Sequence, residues 1–402
     1  MNAPERRFDD FSGVSYAQAC ERAHALVPAL QARAARTETG GQLDADNIAD
    51  LHRTGLVRFA QPRRWGGMGL DYLSLVEIPD IIARGCMSSA WVLANLAIHH
   101  WMLALYEDRA QEEVWSVNPD AFIASGIAYP QGRGRVVDGG IELSGLWNFS
   151  SGVTVSSWNM LACVVRDGDK VVDYRMCIVP SPEYEVIDDW HVMGLRGTGS
   201  RSVKCDKVFV PEHRALSMLH HREGRPYPGW RSNPEILFRV PFGGLAAHCI
   251  GGAMIGNAQA MLDAIAAMVR DRSTSYTALK MRDLNTVQAR VGLAGAHIDA
   301  ARLLLRQDCI DSQQMTEAGV ALTLEHKLRQ KRNCAFAAHL ATEAVDTLYA
   351  LAGANGLYTR GPMERIYRDQ HAAAAHINFS LDAQTSAWGL AALGGDINNA
   401  TL

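Results

Sequence analysis

The sequence predicts an α+β chain in three successive parts, helical, then β, then helical. Two patterns carry this prediction. Ala- and Leu-rich segments with apolar residues at three- and four-residue spacing fill the first and last thirds. Between residues 121 and 216, short β-rich runs follow one another, broken by Gly-Gly, Asp-Gly and Pro turns with no helix between them. A third observation sets the scale: 402 residues, 48% hydrophobic and 20% charged, are too many and too apolar for a disordered chain or a stapled mini-protein. The expected divisions are 1–118 (N-terminal helical), 119–220 (central β), 221–241 (a loop beside the substrate) and 242–402 (C-terminal four-helix bundle with a tail).

In chain order, residues 16–35 and 44–54 read as amphipathic helices, the second stopping at Gly55. Pro62 and the glycines Gly66, Gly67 and Gly69 then forbid regular helix and predict a shaped loop. Residues 73–104 are apolar around most of a helical circumference, which predicts one or two buried helices, and 110–115 close the helical third. The β runs are 121–127, 136–143, 158–165, 174–179 and 203–210, and their spacing argues for an antiparallel barrel or sandwich. Residues 220–241, with four prolines and Trp230, are longer than a connection needs and are a candidate for substrate contact. Helices are expected again at 243–270, 284–312, 322–351 and 363–375. Gly251, Gly252, Ala253, Gly256 and Ala258 allow close helix approach within a bundle or across a subunit interface.

Composition excludes several function classes. The net charge of −4 offers nothing to a polyanion, so no nucleic-acid partner is expected. The eight cysteines show neither C-x-x-C nor zinc spacing, which predicts free thiols in a reducing compartment and no metal site. No membrane span and no signal-peptide core are evident, and the expectation is a cytoplasmic protein. Gly132-Arg133-Gly134 leads into a strand, so a dinucleotide-binding turn is not expected, and no G-x-S-x-G or H-E-x-x-H motif is present.

What remains is a set of polar residues in apolar surroundings. His99 and His100 interrupt a buried helix, and His376 follows four alanines; each is compatible with a satisfied core histidine or with a site. Residues 145–152, with Trp147, Phe149, Ser150 and Ser151, are either a β turn or a place where a planar ring stacks and finds a hydroxyl. Residues 194–200, with Arg196, Thr198 and Ser200 among glycines, are either a turn or a cradle for a phosphate or a flavin edge.

The three-part order and these segments together resemble the acyl-CoA dehydrogenase fold, in its branch of two-component (group D) flavin-dependent monooxygenases that hydroxylate phenols. The resemblance spans about residues 32–395. It rests on Gln61-Pro62, Trp65-Gly66-Gly67, Ser88-Ser89-Ala90-Trp91, His99-His100-Trp101, residues 109–115, 145–152 and 194–200, and Arg368-Asp369. Two departures set the branch. Dehydrogenases of this fold with a base on the C-terminal helix place a glutamate where Ile377 stands, beside His376. Their FAD-gripping Gln-x-x-Gly-Gly-x-Gly segment reads here as residues 350–356 without the glutamine, which implies loosely held reduced FMN or FADH2. A dehydrogenase-like oxidoreductase, or an N- or S-oxygenating member of the fold, is the alternative.

The resemblance implies roles. Trp91, Phe149 and Ser151 line the flavin, Ser151 reaching N5. Arg270 or Arg272 holds its phosphate, and Arg368 is counted on the cofactor side. His99 and Ser125 contact the substrate hydroxyl, and Trp230 shapes the substrate pocket. A separate NAD(P)H:flavin reductase supplies reduced flavin, which reacts with O2 to a flavin 4a-hydroperoxide held by His376 and Ser151, while His99 polarises or deprotonates the phenol. Relatives of this fold imply a homotetramer.

Overall fold

A computed structural model describes residues 8–222, 225–275 and 277–397. Residues 1–7, where no signal-peptide core was expected, lie outside them.

Helix α1 (Tyr16–Gly40) begins at a capping box in which Ser15 and Gln18 exchange side-chain and backbone hydrogen bonds, and it ends at Gly41 in the left-handed conformation. Asp44 caps α2 (Ala45–Thr54), and Gly55 closes it at φ 72°. The loop at 62–69 is organised from beneath by Arg58, whose guanidinium donates to Gln61 Oε1 (2.7 Å) and to the carbonyls of Asp9 (2.9 Å) and Trp65 (2.8 Å). Gln61 in turn donates to Pro119 O at 2.9 Å, so the Gln61-Pro62 and Trp65-Gly66 motifs are the two sides of one buried clasp. The apolar run at 73–104 divides into α3 (Ser74–Ala83) and α4 (Met87–Leu103), and α5 (Asp108–Trp115) follows. In α4 every residue but Asn95 is buried, as the absence of a polar face predicts.

The central part contains β1 (Ile123–Gly126), β2 (Gly132–Val137), β3 (Gly140–Ser150), β4 (Trp158–Asp167), β5 (Lys170–Pro180), β6 (Glu185–Ile187), β7 (Arg201–Pro211) and β8 (Ala215–Ser217). Their hydrogen-bonded order is β6-β7-β3-β2-β4-β5-β8, with β1 on β4. The expected antiparallel arrangement is corrected here. The sheet is mixed, because β1 and β2 lie end to end along one edge of β4 and both run parallel to it, while β5 takes the other edge antiparallel. The β run expected at 136–143 is likewise two strands rather than one, since the chain reverses at Asp138-Gly139 (Gly139 φ 76°) into the β2–β3 hairpin. Along β4, Leu161, Cys163 and Val165 enter a core internal to the sheet, while Met160 and Ala162 face the helices. Alternate residues thus join two cores through one strand.

After α6 (Leu219–Arg222) and two 3-10 turns, helix resumes as α7 (Phe242–Leu245), α8 (His248–Asp271), α9 (Asn285–Glu317), α10 (Leu324–Ala352), α11 (Met363–Ala374) and α12 (Leu381–Ala392). The stretch 243–271 is apolar and long enough to cross a membrane, contrary to the sequence reading, but α8 is a core helix. A Cβ at Gly252 would collide with the carbonyl of Val76 and one at Gly256 with that of Asp80, so the small residues of α8 let its backbone lie directly on α3. Helix α12, which the sequence reading did not anticipate, buries none of its residues in this chain.

Candidate active site

Helix α4 carries two of the expected site residues at either end of one face. Trp91, Asn95 and His99 recur every four residues, with Trp91 and His99 roughly 12 Å apart along the axis. Asn95, the one residue of α4 that is not buried, marks where this face opens, and its side-chain amide donates to Trp91 O at 2.8 Å. Sequence reading passed over Asn95; its signal was a lone amide between Trp91 and His99 at helical spacing.

At the His99 end the helix packs on β1. His99 is buried and its Nδ1 lies 2.6 Å from the carbonyl of Ile123. A carbonyl can only accept, so Nδ1 holds the proton and the neutral ring presents an unprotonated Nε2. Burial pushes its pKa down to about 4, the hydrogen bond to Ile123 opposing the shift. Ile123 and Ser125 are two apart on β1 and face the helices together, whereas Ala124 enters the sheet core. His99 and Ser125 therefore share one face of β1. The adjacent His100 points elsewhere: its ring stacks on Trp115 at 5.8 Å, and Trp115 Nε1 donates to its Nδ1 at 3.1 Å.

At the Trp91 end several loops converge. Trp91 Nε1 donates to Ser151 Oγ at 3.2 Å. Ser151 Oγ lies 2.8 Å from Ser200 Oγ, which lies 2.6 Å from Thr198 Oγ1, and all three hydroxyls are buried. The backbone agrees with this docking, since Gly152 N–H donates to Thr198 O at 2.9 Å. The end of β3 is irregular between Trp147 and Ser150, where Phe149 takes φ 66° and turns outward, 70% exposed, against the edge of Trp190. Residues 145–150 are thus strand, not the turn that composition allowed, and only Ser151-Gly152 leaves it.

His376 meets the Trp91 ring edge to face at 6.0 Å. It begins a 3-10 turn, its Nδ1 accepting from Asn378 N–H at 3.3 Å, so its neutral ring carries the proton on Nε2. Burial lowers its pKa to about 4. Ile377 beside it is 73% exposed and supplies no carboxylate.

Residues 194–200 rest on α11. A Cβ on Gly194 would strike the carbonyl of Arg368, and the buried carboxylate of Asp369 accepts from Leu195 N–H at 2.6 Å. Burial raises the Asp369 pKa to about 7. The neighbouring Arg368 is held by Glu364 (2.6 Å), Glu38 (2.6 Å) and the carbonyl of Met193 (2.6 Å), which joins α1, α11 and this loop. Of the two arginines ending α8, Arg270 is exposed, while Arg272 donates to Ala352 O at 3.0 Å. Trp230 packs at the far end of α4, where Gly229 N–H donates to Leu105 O at 3.1 Å; its ring neighbours are Tyr227 and Arg239, not His99.

The arrangement pairs an accepting imidazole with a donating one, around a helix face and an outward-facing aromatic. Family models match residues 21–117 (acyl-CoA dehydrogenase, N-terminal domain) and 248–381 (acyl-CoA dehydrogenase, C-terminal domain). The oxygenase subunit HsaA of a flavin-dependent monooxygenase from Rhodococcus jostii is 34% identical, over 89% of this chain and 93% of its own. This chain belongs to the flavin-dependent monooxygenases built on the acyl-CoA dehydrogenase fold. The oxygenase component of an FADH2-dependent resorcinol hydroxylase from Rhizobium is 31% identical over 93% of each chain. The crystal structure of 3-HSA hydroxylase from Rhodococcus superposes with a TM-score of 0.90 at 32% identity, covering 96% of this chain and 99% of that one.

As an oxygenase component of this family, the enzyme is a reduced-flavin-dependent hydroxylase of aromatic compounds and draws its flavin from a separate reductase. The residues present suit that cofactor. Ser151, buried against the Trp91 indole, offers a polar contact at the edge of an aromatic surface, as a planar tricyclic ring with polar edge atoms requires. The dehydrogenase alternative falls with the family assignment, and exposed Ile377 fits that outcome.

Proposed function

We propose that the enzyme hydroxylates a neutral phenol ortho to its hydroxyl, with His99 as the group that takes up the phenol proton. The observation that supports this is the tautomer of His99. With Nδ1–H committed to Ile123 O, a buried neutral ring turns Nε2 toward the face it shares with Ser125, where a substrate hydroxyl has one acceptor and one hydroxyl partner. Withdrawing that proton makes the ortho carbon electron-rich.

Trp91, Ser151, Phe149 and His376 hold the flavin ring at the other end of the α4 face. Bound reduced flavin supplies the electrons and the oxygen-activating centre. The side chains orient it, exclude water and place the Nε2–H of His376 as a donor toward it. Arg270 is the better placed of the two arginines for a flavin phosphate, because Arg272 is tied to the end of α10. Arg368 acts on the cofactor side by fixing the loop at 194–200 through Met193. Trp230 acts on the substrate end only at a distance, by seating its loop on the end of α4 through Tyr227 and Arg239. The division at 118, 220 and 241, a homotetramer, a cytoplasmic location and an NAD(P)H-using reductase complete the reading.

The test supplies purified enzyme with chemically reduced FMN or FAD, O2 and a panel of phenols, anilines, indoles and thiophenes, and identifies products by mass. Catechol formation from phenols supports the proposal. Oxygenation confined to nitrogen or sulfur overturns it.

A further inference from the structure

The hydroxyls beneath Trp91 form a chain whose direction is fixed at its far end. Thr198 Oγ1 lies 2.8 Å from the carbonyl of Leu195, and only Thr198 has a proton to place there. That carbonyl is itself held in position: Trp190 Nε1 donates to it at 3.1 Å, and the Leu195 N–H is anchored on Asp369 at 2.6 Å. With its single proton spent, Thr198 can only accept from Ser200 across the 2.6 Å contact. Ser200, its own proton now committed, can only accept from Ser151 across 2.8 Å. The first lone pair of Ser151 takes the Trp91 indole N–H at 3.2 Å. Ser151 therefore has one lone pair left and no proton.

Resting on the reading that Ser151 faces flavin N5, we propose that Thr198 and Ser200 are positioning residues that lock Ser151 as an acceptor, so that the site selects reduced over oxidised flavin. Reduced flavin carries a proton on N5 and fits an acceptor. Oxidised flavin presents a lone pair at N5 and meets the Ser151 oxygen unfavourably. The same lock releases the spent flavin for exchange with the reductase.

The experiment measures dissociation constants of oxidised FMN and FAD aerobically, and of the reduced forms anaerobically. It uses wild type, Ser200→Ala, Thr198→Val, Thr198→Ser and Ser151→Ala. The wild type is expected to favour the reduced form by about tenfold or more, the worth of one gained against one unfavourable hydrogen bond. Ser200→Ala and Thr198→Val free the Ser151 proton, so oxidised flavin should bind more tightly and the ratio should fall about tenfold, while Thr198→Ser keeps the wild-type ratio. Equal weakening of both redox forms in Ser200→Ala and Thr198→Val would mark a merely structural role and overturn the proposal. If Ser151→Ala leaves every constant unchanged, Ser151 does not touch the flavin and the underlying reading fails. If Ser151→Ala changes the constants while the other variants keep the ratio, the contact stands and the directional lock is wrong.

Discussion

His99 and His376 lie at opposite ends of the α4 face, and each is a neutral imidazole with its pKa lowered to about 4 by burial, yet they offer opposite chemistry. The difference is one backbone atom. His99 places Nδ1 against a carbonyl, so its Nε2 accepts; His376 places Nδ1 against an amide N–H, so its Nε2 donates. Two residues of one type are thus made an acceptor and a donor by secondary structure alone, the edge of β1 in one case and the start of a 3-10 turn in the other. Histidine roles in such a site are read from what the second nitrogen touches.

The largest effect is expected at the accepting end. His99→Ala should slow hydroxylation by about a hundredfold or more, the usual worth of a positioned general base, while O2 consumption continues and emerges as H2O2. An unchanged rate of product formation in rapid-mixing experiments would remove His99 from the chemistry. At the donating end, His376→Ala should cut the fraction of O2 converted to product severalfold with a smaller effect on substrate affinity. His376→Asn, which retains an N–H donor, should recover part of the coupling, and equal losses in both variants would show that donation is not its role.

Acid titration sharpens the comparison further. Because His99 ionises only near pH 4, hydroxylation should be insensitive to its protonation from about pH 8 down to about pH 5, whereas a histidine of ordinary pKa would produce a break near 6.5. The same shift carries a stability consequence. Between the unfolded value of about 6.5 and the folded value, the unfolded chain binds more protons, so the contribution is complete above about pH 6.5 and is lost as pH falls toward 4. It amounts to about 3 kcal/mol for His99. Urea unfolding of wild type and His99→Gln across that range should converge on acidification; parallel curves would contradict the burial of a neutral ring. The smallest effect belongs to Ile377→Glu. At an exposed position it should alter stability by less than about 0.5 kcal/mol, and a large drop in the urea midpoint would show that the side chain is covered in the working enzyme.

Much of this was legible in the sequence because it rests on local rules. Helices α1 and α2 were legible through their apolar spacing and the stop at Gly55, and α4 through its missing polar face. The residues of the two ends, Trp91, His99, Ser151 and His376, were found as polar or aromatic interruptions and by resemblance. What the sequence hid was pairing and direction. Parallel pairing of β1 and β2 along β4 is non-local and leaves no periodic trace. The turn at Asp138-Gly139 carried its own Asp-Gly signal, but reading 136–143 as one strand passed over it. Helix α12 has no buried residue from which a core face could be inferred. Asn95, and the order in which Thr198, Ser200 and Ser151 pass on their protons, became visible only when atoms could be assigned as donors or acceptors.

The bare contact of α8 on α3 bears on how the chain comes to fold. Residues 243–271 would be an insertion hazard if they met a bilayer unshielded. During synthesis, however, α3 leaves the ribosome well over a hundred residues before α8 does. The surface complementary to Gly252 and Gly256 is already outside when they emerge. A side chain at either glycine would therefore do more than strain the finished enzyme: among the described residues it would leave the one helix long and apolar enough to span a bilayer without a berth at the moment it is most exposed.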